Sequence, residues 1–390
     1  MVPMKRIEGG ICAVDGVRAA GARRGKYGLA IIAASGAAAG VFTTNKIRAA
    51  PLDVTAENLR DGRLDGIIAN SGCANAYTGE KGIEDARTMA RMFAEFLGTD
   101  ASRIGVGSTG VIGRYLDFGP IREDFEEAKS RLRSTPDASL EAERAIMTTD
   151  TRAKEIAVEH QGIRVAGITK GAGMIEPHMA TMLCYLYTDA DLPADVLHKC
   201  LADAVEDSFN MLIVDGDTST NDMAILTATG ARRCSVQDFS DALKYVCIEL
   251  AKMMARDGEG ATKYFETYVT GARDEHDARE AARAIARSSL VKTAVYGADP
   301  NWGRIIAAAG RSGADLDPGK ITLDIEGSGL NVRLVERGQI VDCVLDQAKK
   351  IMLGDSILVS LDLGLGPGQA RSFGCDLTRE YVNINADYTT

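Results

Sequence analysis

A threonine preceded by a small residue stands where a strand-like run begins, in the pair Ala180-Thr181. A threonine hydroxyl can attack the carbonyl carbon before it, and hydrolysis of the resulting ester cuts the chain and frees the threonine amine. A free α-amine has a pKa near ~8 and can act as the base for its own hydroxyl. The pair predicts either an ordinary strand-start threonine or a self-cleaving junction that creates an N-terminal nucleophile.

Other catalytic designs have few candidates in this chain. The four histidines are not paired at metal-ligand spacing, and none of the eight cysteines forms a C-x-x-C pair. Zinc sites, thioredoxin-type chemistry and a Ser-His-Asp triad therefore have little support. Scattered cysteines at this low density are typical of reduced thiols in a cytoplasmic protein.

Two kinds of loop suggest ligand binding. The segment Asp215–Asp222 resembles a calcium loop at its first, third and fifth positions, but Thr220 and Leu226 stand where that loop needs Gly and Glu. The glycine-rich segments Gly105–Gly110 and Gly258–Lys263 do not satisfy the P-loop pattern, and neither is a dinucleotide G-x-G-x-x-G at a strand–helix turn with a suitable acidic residue. A calcium- or phosphate-binding module remains a minor alternative, and the amides of Gly105–Gly110 could instead hold an oxyanion.

Composition limits the classes of partner. The 390 residues suffice for two or three domain-sized units. Lys and Arg number 45 against 55 Asp and Glu, so the net charge is −10. Because nucleic acids and anionic membrane surfaces attract basic proteins, we expect neither as a partner.

The periodicity of apolar residues predicts five helices, within Ile83–Leu97, Phe125–Leu132, Val196–Val205, Phe239–Met253 and Ala278–Ile285. Strands are predicted at Tyr27–Ala33, Ala38–Thr43, Gly66–Asn70, Arg103–Ser108, Arg164–Thr169, Met182–Tyr187, Leu212–Val214, Met223–Thr229, Val291–Tyr296, Arg304–Ala308, Ile321–Ile325, Leu330–Val335, Ile357–Leu363 and Tyr381–Ile384. The pattern favours an α+β fold with helices on one face of each of two mixed sheets. Residues 315–390 form a strand-rich C-terminal subregion in this prediction.

Eight stretches, in this order, resemble the ornithine acetyltransferase family of arginine biosynthesis, also called glutamate N-acetyltransferase. The resemblance runs nearly from end to end. The stretches are Asn70–Ala76, Ser108–Gly113, Met147–Thr151, Lys170–Leu183, Asp215–Asp222, Asp257–Lys263, Gly297–Arg304 and Tyr381–Thr390.

The resemblance implies an acyltransferase that moves the acetyl group of N-acetylornithine to glutamate without a cofactor or metal. It leaves open whether acetyl-coenzyme A is also a donor. It further implies a four-layer α/β/β/α sandwich with mixed sheets, cut between Ala180 and Thr181 into chains 1–180 and 181–390. Two chains of each kind would assemble as a heterotetramer.

The resemblance also assigns roles to residues. Thr181 matches the nucleophile, and Thr109 and Gly110 match the oxyanion hole. Either Thr148 or Thr149 aligns with a substrate contact, and we favour Thr148. The substrate-binding set is Thr148, Lys170, Thr181, Glu259, Asn385 and Thr390. Within it, Lys170 and Glu259 supply one charge of each sign, which suits an amino-acid substrate.

The sequence departs from the family pattern at two places. The family often has His and Asn around the proline that Glu176-Pro177-His178 contains here, and commonly has Asn where Cys73 stands. Neither change falls on the nucleophile or the oxyanion positions. The main alternative is an N-terminal-nucleophile amidase or aminopeptidase, in which water replaces glutamate as the acceptor.

Overall fold

The computed structural model describes residues 4–176, 182–342 and 344–387. The predicted cleavage pair Ala180-Thr181 and the predicted substrate contact Thr390 lie outside the described residues. The strands are β1 Lys5–Ile7, β2 Arg18–Arg24, β3 Tyr27–Phe42, β4 Arg63–Ser71, β5 Ile104–Ser108, β6 Glu155–His160, β7 Ile163–Lys170, β8 Leu183–Ala190, β9 Leu212–Ile213, β10 Met223–Arg232, β11 Tyr264–Ala272, β12 Thr322–Gly327, β13 Leu330–Glu336, β14 Gln339–Ile340, β15 Ser356–Asp362 and β16 Gly368–Cys375. The α-helices are α1 Ala50–Asn58, α2 Gly79–Leu97, α3 Phe118–Arg131, α4 Pro136–Ile146, α5 Ala194–Glu206, α6 Val236–Arg256, α7 Glu275–Arg287, α8 Ser289–Tyr296, α9 Trp302–Gly310, α10 Leu345–Met352 and α11 Arg379–Asp387.

Nine of these strands form one mixed sheet, in the order β1-β6-β7-β8-β10-β3-β4-β5, with β2 also paired to β3. The long strand β3 joins two halves of it. Its first half pairs with β2 and β4, and its second half pairs with β10. The pairs β4–β5 and β8–β10 are parallel, which brings the ends of β4 and β5 to the same edge.

The two halves of this sheet are the inner layers of a sandwich. Side chains from both halves, including Ile32 of β3 and Tyr185 of β8, meet in one apolar cluster between them. On the outer faces, Ile31 packs in the cluster that contains α2 and α3, and Leu186 packs in the cluster that contains α5 and α6. The predicted α+β class and the α/β/β/α order are therefore confirmed.

A second mixed sheet has seven strands in the order β14-β13-β12-β15-β11-β16-β9. It packs on α6 and α7, in the same apolar cluster as α5. Most of its strands come from the predicted C-terminal subregion 315–390, but β9 and β11 come from earlier in the chain. The turn at Ser328 and Gly329 joins β12 to β13.

The strongest helical patterns are confirmed. All five predicted helices occur, as α2, α3, α5, α6 and α7. Helix α2 ends at Gly98, whose left-handed backbone (φ 71°) is the usual way to close a helix. The sequence missed α1, α4 and α10, which have fewer apolar residues at helical spacing or are shorter. None of the helices in the described ranges is long and apolar enough to cross a membrane.

Three predicted strands are wrong. Val291–Tyr296, Arg304–Ala308 and Tyr381–Ile384 lie in the helices α8, α9 and α11. Each helix begins where a polar side chain accepts an early amide hydrogen: Ser288 from Val291, Asn301 from Arg304, and Thr378 from Tyr381. Such capping stabilises a helix by roughly 0.5–2 kcal/mol and outweighs a weak strand propensity in a short segment.

The two predicted strands Tyr27–Ala33 and Ala38–Thr43 are one continuous strand, β3. The small residues between them do not form a turn. They stay extended at a shift in the pairing register with β4, between Ala33 and Gly36. Small side chains at this position permit the strand to pass from one half of the sheet to the other.

Candidate active site

The predicted oxyanion pair lies where β5 ends. The backbone amide of Thr109 donates to the carbonyl oxygen of Asn70 at the end of β4 (3.0 Å), and Thr109 is 4% exposed. The Asn70 amide group in turn donates to the carbonyl of Cys73 (2.9 Å) and accepts from the Ser108 hydroxyl (2.6 Å). The ends of these two parallel strands are thus tied together, which holds the Thr109 hydroxyl in place.

Gly110 needs to be glycine at this position. Its φ of 129° lies in a region that favours glycine, and a β-carbon there would lie 2.4 Å from the carbonyl carbon of Gly72. The N–H of Gly110 finds no acceptor among the described residues. It is therefore available to donate to a group in the site.

Lys170, the last residue of β7, links the predicted site residues. Its ammonium donates to the hydroxyl oxygens of Thr148 (2.9 Å) and Thr109 (3.2 Å), and the residue is 2% exposed. Because the Thr109 oxygen accepts from Lys170, its own hydrogen is left to donate elsewhere. Burial lowers the pKa of Lys170, although Asp150, Asp222 and Glu259 act to raise it.

Lys170 belongs to a buried ionic network that sequence reasoning missed. Asp150 lies 4.0 Å from the Lys170 ammonium and accepts from Lys154 (2.7 Å), and Lys154 also donates to Asp257 (2.6 Å). Burial by itself would raise the pKa of Asp150, but Lys170 and Lys154 outweigh it and hold that pKa below its usual range. Removing one partner of such a network typically costs about 3–5 kcal/mol, since the others stay buried.

The network extends to Glu259. Asp257 directly follows α6 and accepts from the backbone amides of Thr151 and Arg152, so it fixes the start of the next loop. Two residues later, the amide of Glu259 donates to the carbonyl of Ala172 (2.8 Å). The structure therefore holds the Glu259 carboxylate and the Lys170 ammonium at one site, although they are far apart in sequence.

The Glu259 side chain lies against two further segments. A β-carbon on Gly173 would come within 2.4 Å of the Glu259 carboxylate oxygens, so glycine leaves the space that this side chain occupies. The Asn385 amide of α11 donates to Glu259 (2.8 Å) and to the carbonyl of Tyr381 (3.0 Å). Helix α11 thus brings the C-terminal end of the described chain to the predicted site.

The structure brings together six of the residues singled out from the sequence: Thr109, Gly110, Thr148, Lys170, Glu259 and Asn385. Of the two candidate threonines, Thr148 is the one whose hydroxyl oxygen accepts a hydrogen bond from the Lys170 ammonium. The residues that the sequence missed, Asp150, Lys154 and Asp257, lie within or beside stretches that matched the family. That proximity was the one available signal.

The loop and glycine-rich alternatives have other roles here. Both Asp215 oxygens accept backbone amide hydrogens, from Met174 and Ile175. No group of three acidic, His or Cys side chains that could hold a metal occurs in the described ranges. Much of Gly105–Gly110 is strand β5, paired with β4, so its strand amides are not arranged as a phosphate cradle.

Glu143 of α4 lies beside the network and is fully buried. One of its oxygens accepts from the Lys154 amide (3.1 Å), and the other has no partner among the described residues. Burial raises the pKa of Glu143 to about 8, against the opposing effect of Lys154 and with a smaller contribution from Asp150 and Glu155. The carboxyl therefore keeps its proton at neutral pH.

We expect this proton to make the stability of the protein fall as pH rises. Between about pH 4.5 and 8 the folded state holds a proton that the unfolded state has lost, so this contribution is complete below that window and is lost across it. Glu143→Gln should remove that part of the pH dependence, on the order of 5 kcal/mol. Melting temperatures measured from pH 5 to 9 should fall more steeply for the wild type than for the variant, and parallel curves would contradict the assignment.

Known proteins of one family match nearly the whole chain. The model of the ArgJ family matches residues 14–390. A glutamate N-acetyltransferase of Methanosarcina mazei is 53% identical, covering 99% of this chain and 100% of the relative. One of Methanothermobacter thermautotrophicus is 49% identical, covering 99% of both. The arginine biosynthesis bifunctional protein ArgJ of Archaeoglobus fulgidus is 48% identical, covering 97% of this chain and 99% of the relative.

Proposed function

Because the chain belongs to the ArgJ family, we propose that it is a glutamate N-acetyltransferase of arginine biosynthesis. In this proposal the chain cuts itself between Ala180 and Thr181, and the Thr181 hydroxyl then takes the acetyl group of N-acetylornithine. Glutamate accepts the acetyl group from the Thr181 ester. The products are ornithine and N-acetylglutamate.

One observation carries the proposal. Lys170 pairs in register with Leu183, two residues after Thr181, and the Lys170 ammonium contacts the Thr109 hydroxyl (3.2 Å). The predicted oxyanion donors therefore lie beside the strand that begins two residues after the predicted nucleophile. Acyl transfer needs oxyanion donors near the nucleophile, because the negative oxygen of the tetrahedral intermediate forms on the carbon that the hydroxyl attacks.

The steps follow from the groups present. The free amine of Thr181 takes the proton of its own hydroxyl as the oxygen adds to the acetyl carbon. The Thr109 hydroxyl and the Gly110 amide donate to the resulting oxyanion. The bond to the ornithine nitrogen breaks as that nitrogen gains the proton, and the acetyl ester remains. Glutamate reverses the sequence with its own amine as the attacking group.

The charges of the site suit both amino acids. Each substrate carries a carboxylate that the Lys170 ammonium can bind, and the side chain of N-acetylornithine carries an ammonium that the Glu259 carboxylate can bind. Thr148 and Asn385 contact these two charged residues, and we propose that they contact substrate as well. Thr390 completes this proposed set from outside the described residues.

The contacts between the two products of cleavage explain why they would stay together. Strand β7 pairs with β8, and β3 pairs with β10, across the proposed cut. The buried ion pair between Lys154 and Asp257 adds to these ladders. We propose that two such pairs of chains assemble as a heterotetramer, and sedimentation or light scattering of the purified protein measures this directly.

Initial-rate kinetics test the proposal. One ester intermediate that serves two substrates in turn should give parallel double-reciprocal lines, and N-acetylornithine alone should leave an acetyl group on Thr181 that mass spectrometry detects. Thr181→Ala is the matched control and should trap nothing. Intersecting lines without a trapped ester would indicate direct transfer.

The same assay separates the remaining alternatives. Release of ornithine that does not depend on glutamate would identify an amidase or aminopeptidase. Acetylation of glutamate by acetyl-coenzyme A, without N-acetylornithine, would identify a second donor.

A further inference from the structure

The loop between β9 and β10 contacts the chain on both sides of residues 177–181. Upstream of that segment, the Asp215 carboxylate accepts from the amides of Met174 (2.6 Å) and Ile175 (2.8 Å). The amide of Val214 donates to the carbonyl of Ile175 (2.9 Å). The Asp215 amide also donates to that carbonyl (3.4 Å), so four hydrogen bonds from the start of the loop hold the upstream side.

The end of the same loop holds the downstream side. One oxygen of Asp222 accepts from the amide of Met182 (2.9 Å), and the amide of Met223 donates to the carbonyl of Met182 (3.1 Å). The Met182 nitrogen is covalently bonded to Thr181. Because a peptide unit is planar, a hydrogen bond to this amide restricts the orientation of the bond that follows the predicted nucleophile.

Asp222 is fully buried, and its second oxygen has no partner among the described residues. Burial raises the pKa of Asp222 well above its usual value, although the Met182 amide and Lys170 oppose this. A carboxyl oxygen accepts this amide hydrogen as the side-chain amide oxygen of asparagine can. Leaving such a buried group in place costs stability, so an apolar residue would serve better if packing were its only role.

The loop is itself fixed to the oxyanion region. The Asn221 side chain donates to the carbonyls of Ser108 (2.8 Å) and Ala74 (2.6 Å). The amide of Thr43 donates to the carbonyl of Asp222 (3.0 Å), and the Thr43 hydroxyl donates to the backbone carbonyl of Ser219 (2.8 Å). The loop that contacts both sides of residues 177–181 is therefore also hydrogen-bonded to the end of β5, next to Thr109.

We propose that Asp215 and Asp222 form a two-part clamp, in which both position the junction for self-cleavage and only Asp222 continues to position Thr181 during acetyl transfer. This rests on the proposed function, since it takes Thr181 as the nucleophile. The division follows from connectivity. Across the predicted cut, Asp215 accepts from Met174 and Ile175 of the chain that would end at Ala180, besides the Asp217 amide of its own loop (3.3 Å). The side-chain contact of Asp222 is to the chain that would begin at Thr181.

We expect substitutions of Asp215 and Asp222 to change the rates of self-cleavage and acetyl transfer. Misplacing a reacting group by about 1 Å can cost ~10²-fold in rate. Asp222→Ala should slow self-cleavage and lower kcat per cleaved chain, each by roughly 10–100-fold, with KM within threefold. Asp222→Asn should restore most of both rates, because its amide oxygen can accept the same hydrogen. Asp215→Ala should slow self-cleavage to a similar extent but leave kcat per cleaved chain within threefold of the wild type.

The experiment uses full-length protein. Intact-mass spectrometry follows the cleaved fraction with time, and kcat and KM are then measured per cleaved chain. Asp189→Ala is the matched control, because Asp189 is also buried and accepts a backbone amide, that of Arg164 (2.8 Å), at the far end of β8. It should change neither rate. If Asp222→Ala is insoluble, Asp222→Glu moves the acceptor by one methylene and should lose both rates.

The outcomes separate this inference from the proposed function. A wild-type chain that stays uncut overturns the proposed function and the clamp with it. A wild type that cuts, beside an Asp222→Ala variant that cuts and turns over normally, overturns the clamp alone. An Asp222→Asn variant as impaired as Asp222→Ala, or a loss confined to KM, also overturns it. A loss of kcat in Asp215→Ala equal to that in Asp222→Ala overturns the division of roles.

Discussion

Thr181→Ala is expected to leave the protein as one uncut, inactive chain. The wild type should instead yield two chains of 180 and 210 residues when analysed by intact-mass spectrometry. The alanine has no hydroxyl to attack the carbonyl of Ala180, so neither the ester nor the free amine can form. The expected loss of acetyl transfer is complete within detection, because no other residue replaces the nucleophile.

Two measurements make this result specific. Thr181→Ser keeps a hydroxyl and should still be cut, at a reduced rate. The melting temperature of Thr181→Ala should stay near that of the wild type, since the strand pairs and ion pairs on both sides of the junction are retained. A wild-type protein that is active without being cut would exclude the N-terminal-nucleophile mechanism.

Thr109→Ala should lower kcat by ~10²–10³ without unfolding the protein. The hydroxyl accepts from Lys170, which directs its own hydrogen away from that ammonium and leaves it free to donate. A donor of this kind acts chiefly on the oxyanion of the transition state, so KM should change little. The backbone bond from Thr109 to Asn70 is untouched by the substitution, which preserves the local fold.

The control for this prediction is Thr109→Ser, which retains the hydroxyl and should recover most of kcat. Self-cleavage should slow in parallel with acetyl transfer in Thr109→Ala, because both reactions form a tetrahedral oxyanion. An effect limited to KM would instead assign Thr109 to substrate binding. Normal kcat in the alanine variant would remove it from the oxyanion hole.

Much of the fold could be predicted because the spacing of apolar residues within a segment indicates its secondary structure. The helices α2, α5, α6 and α7 carry long apolar stripes, which burial against a sheet requires whatever the partner. The elements that were predicted wrongly are short segments. The residues of α8 and α9 contain β-branched or small side chains that fit either structure, and a single capping side chain before each of them settles the outcome.

The layout of the candidate site could be predicted only in part. Thr109, Lys170 and Glu259 were selected because they lie in stretches that resemble a family, and the resemblance supplied the roles proposed for them. The groups that position them were not found. Lys154 and Asp257 are 103 residues apart and meet only because β6 and α6 pack together, and nothing in either local sequence indicates that pairing.

The sequence by itself determined the class of the fold and the family, and it supplied the types of residue that we propose do the chemistry. Local spacing and motifs carry this information, since they depend on neighbours a few residues away. Only the tertiary structure decided which charges meet: Lys170 with Asp150, Asp257 with Lys154, and Asp222 with the amide of Met182. These contacts join distant segments, and their partners are fixed by how the sheets and helices pack rather than by any local preference.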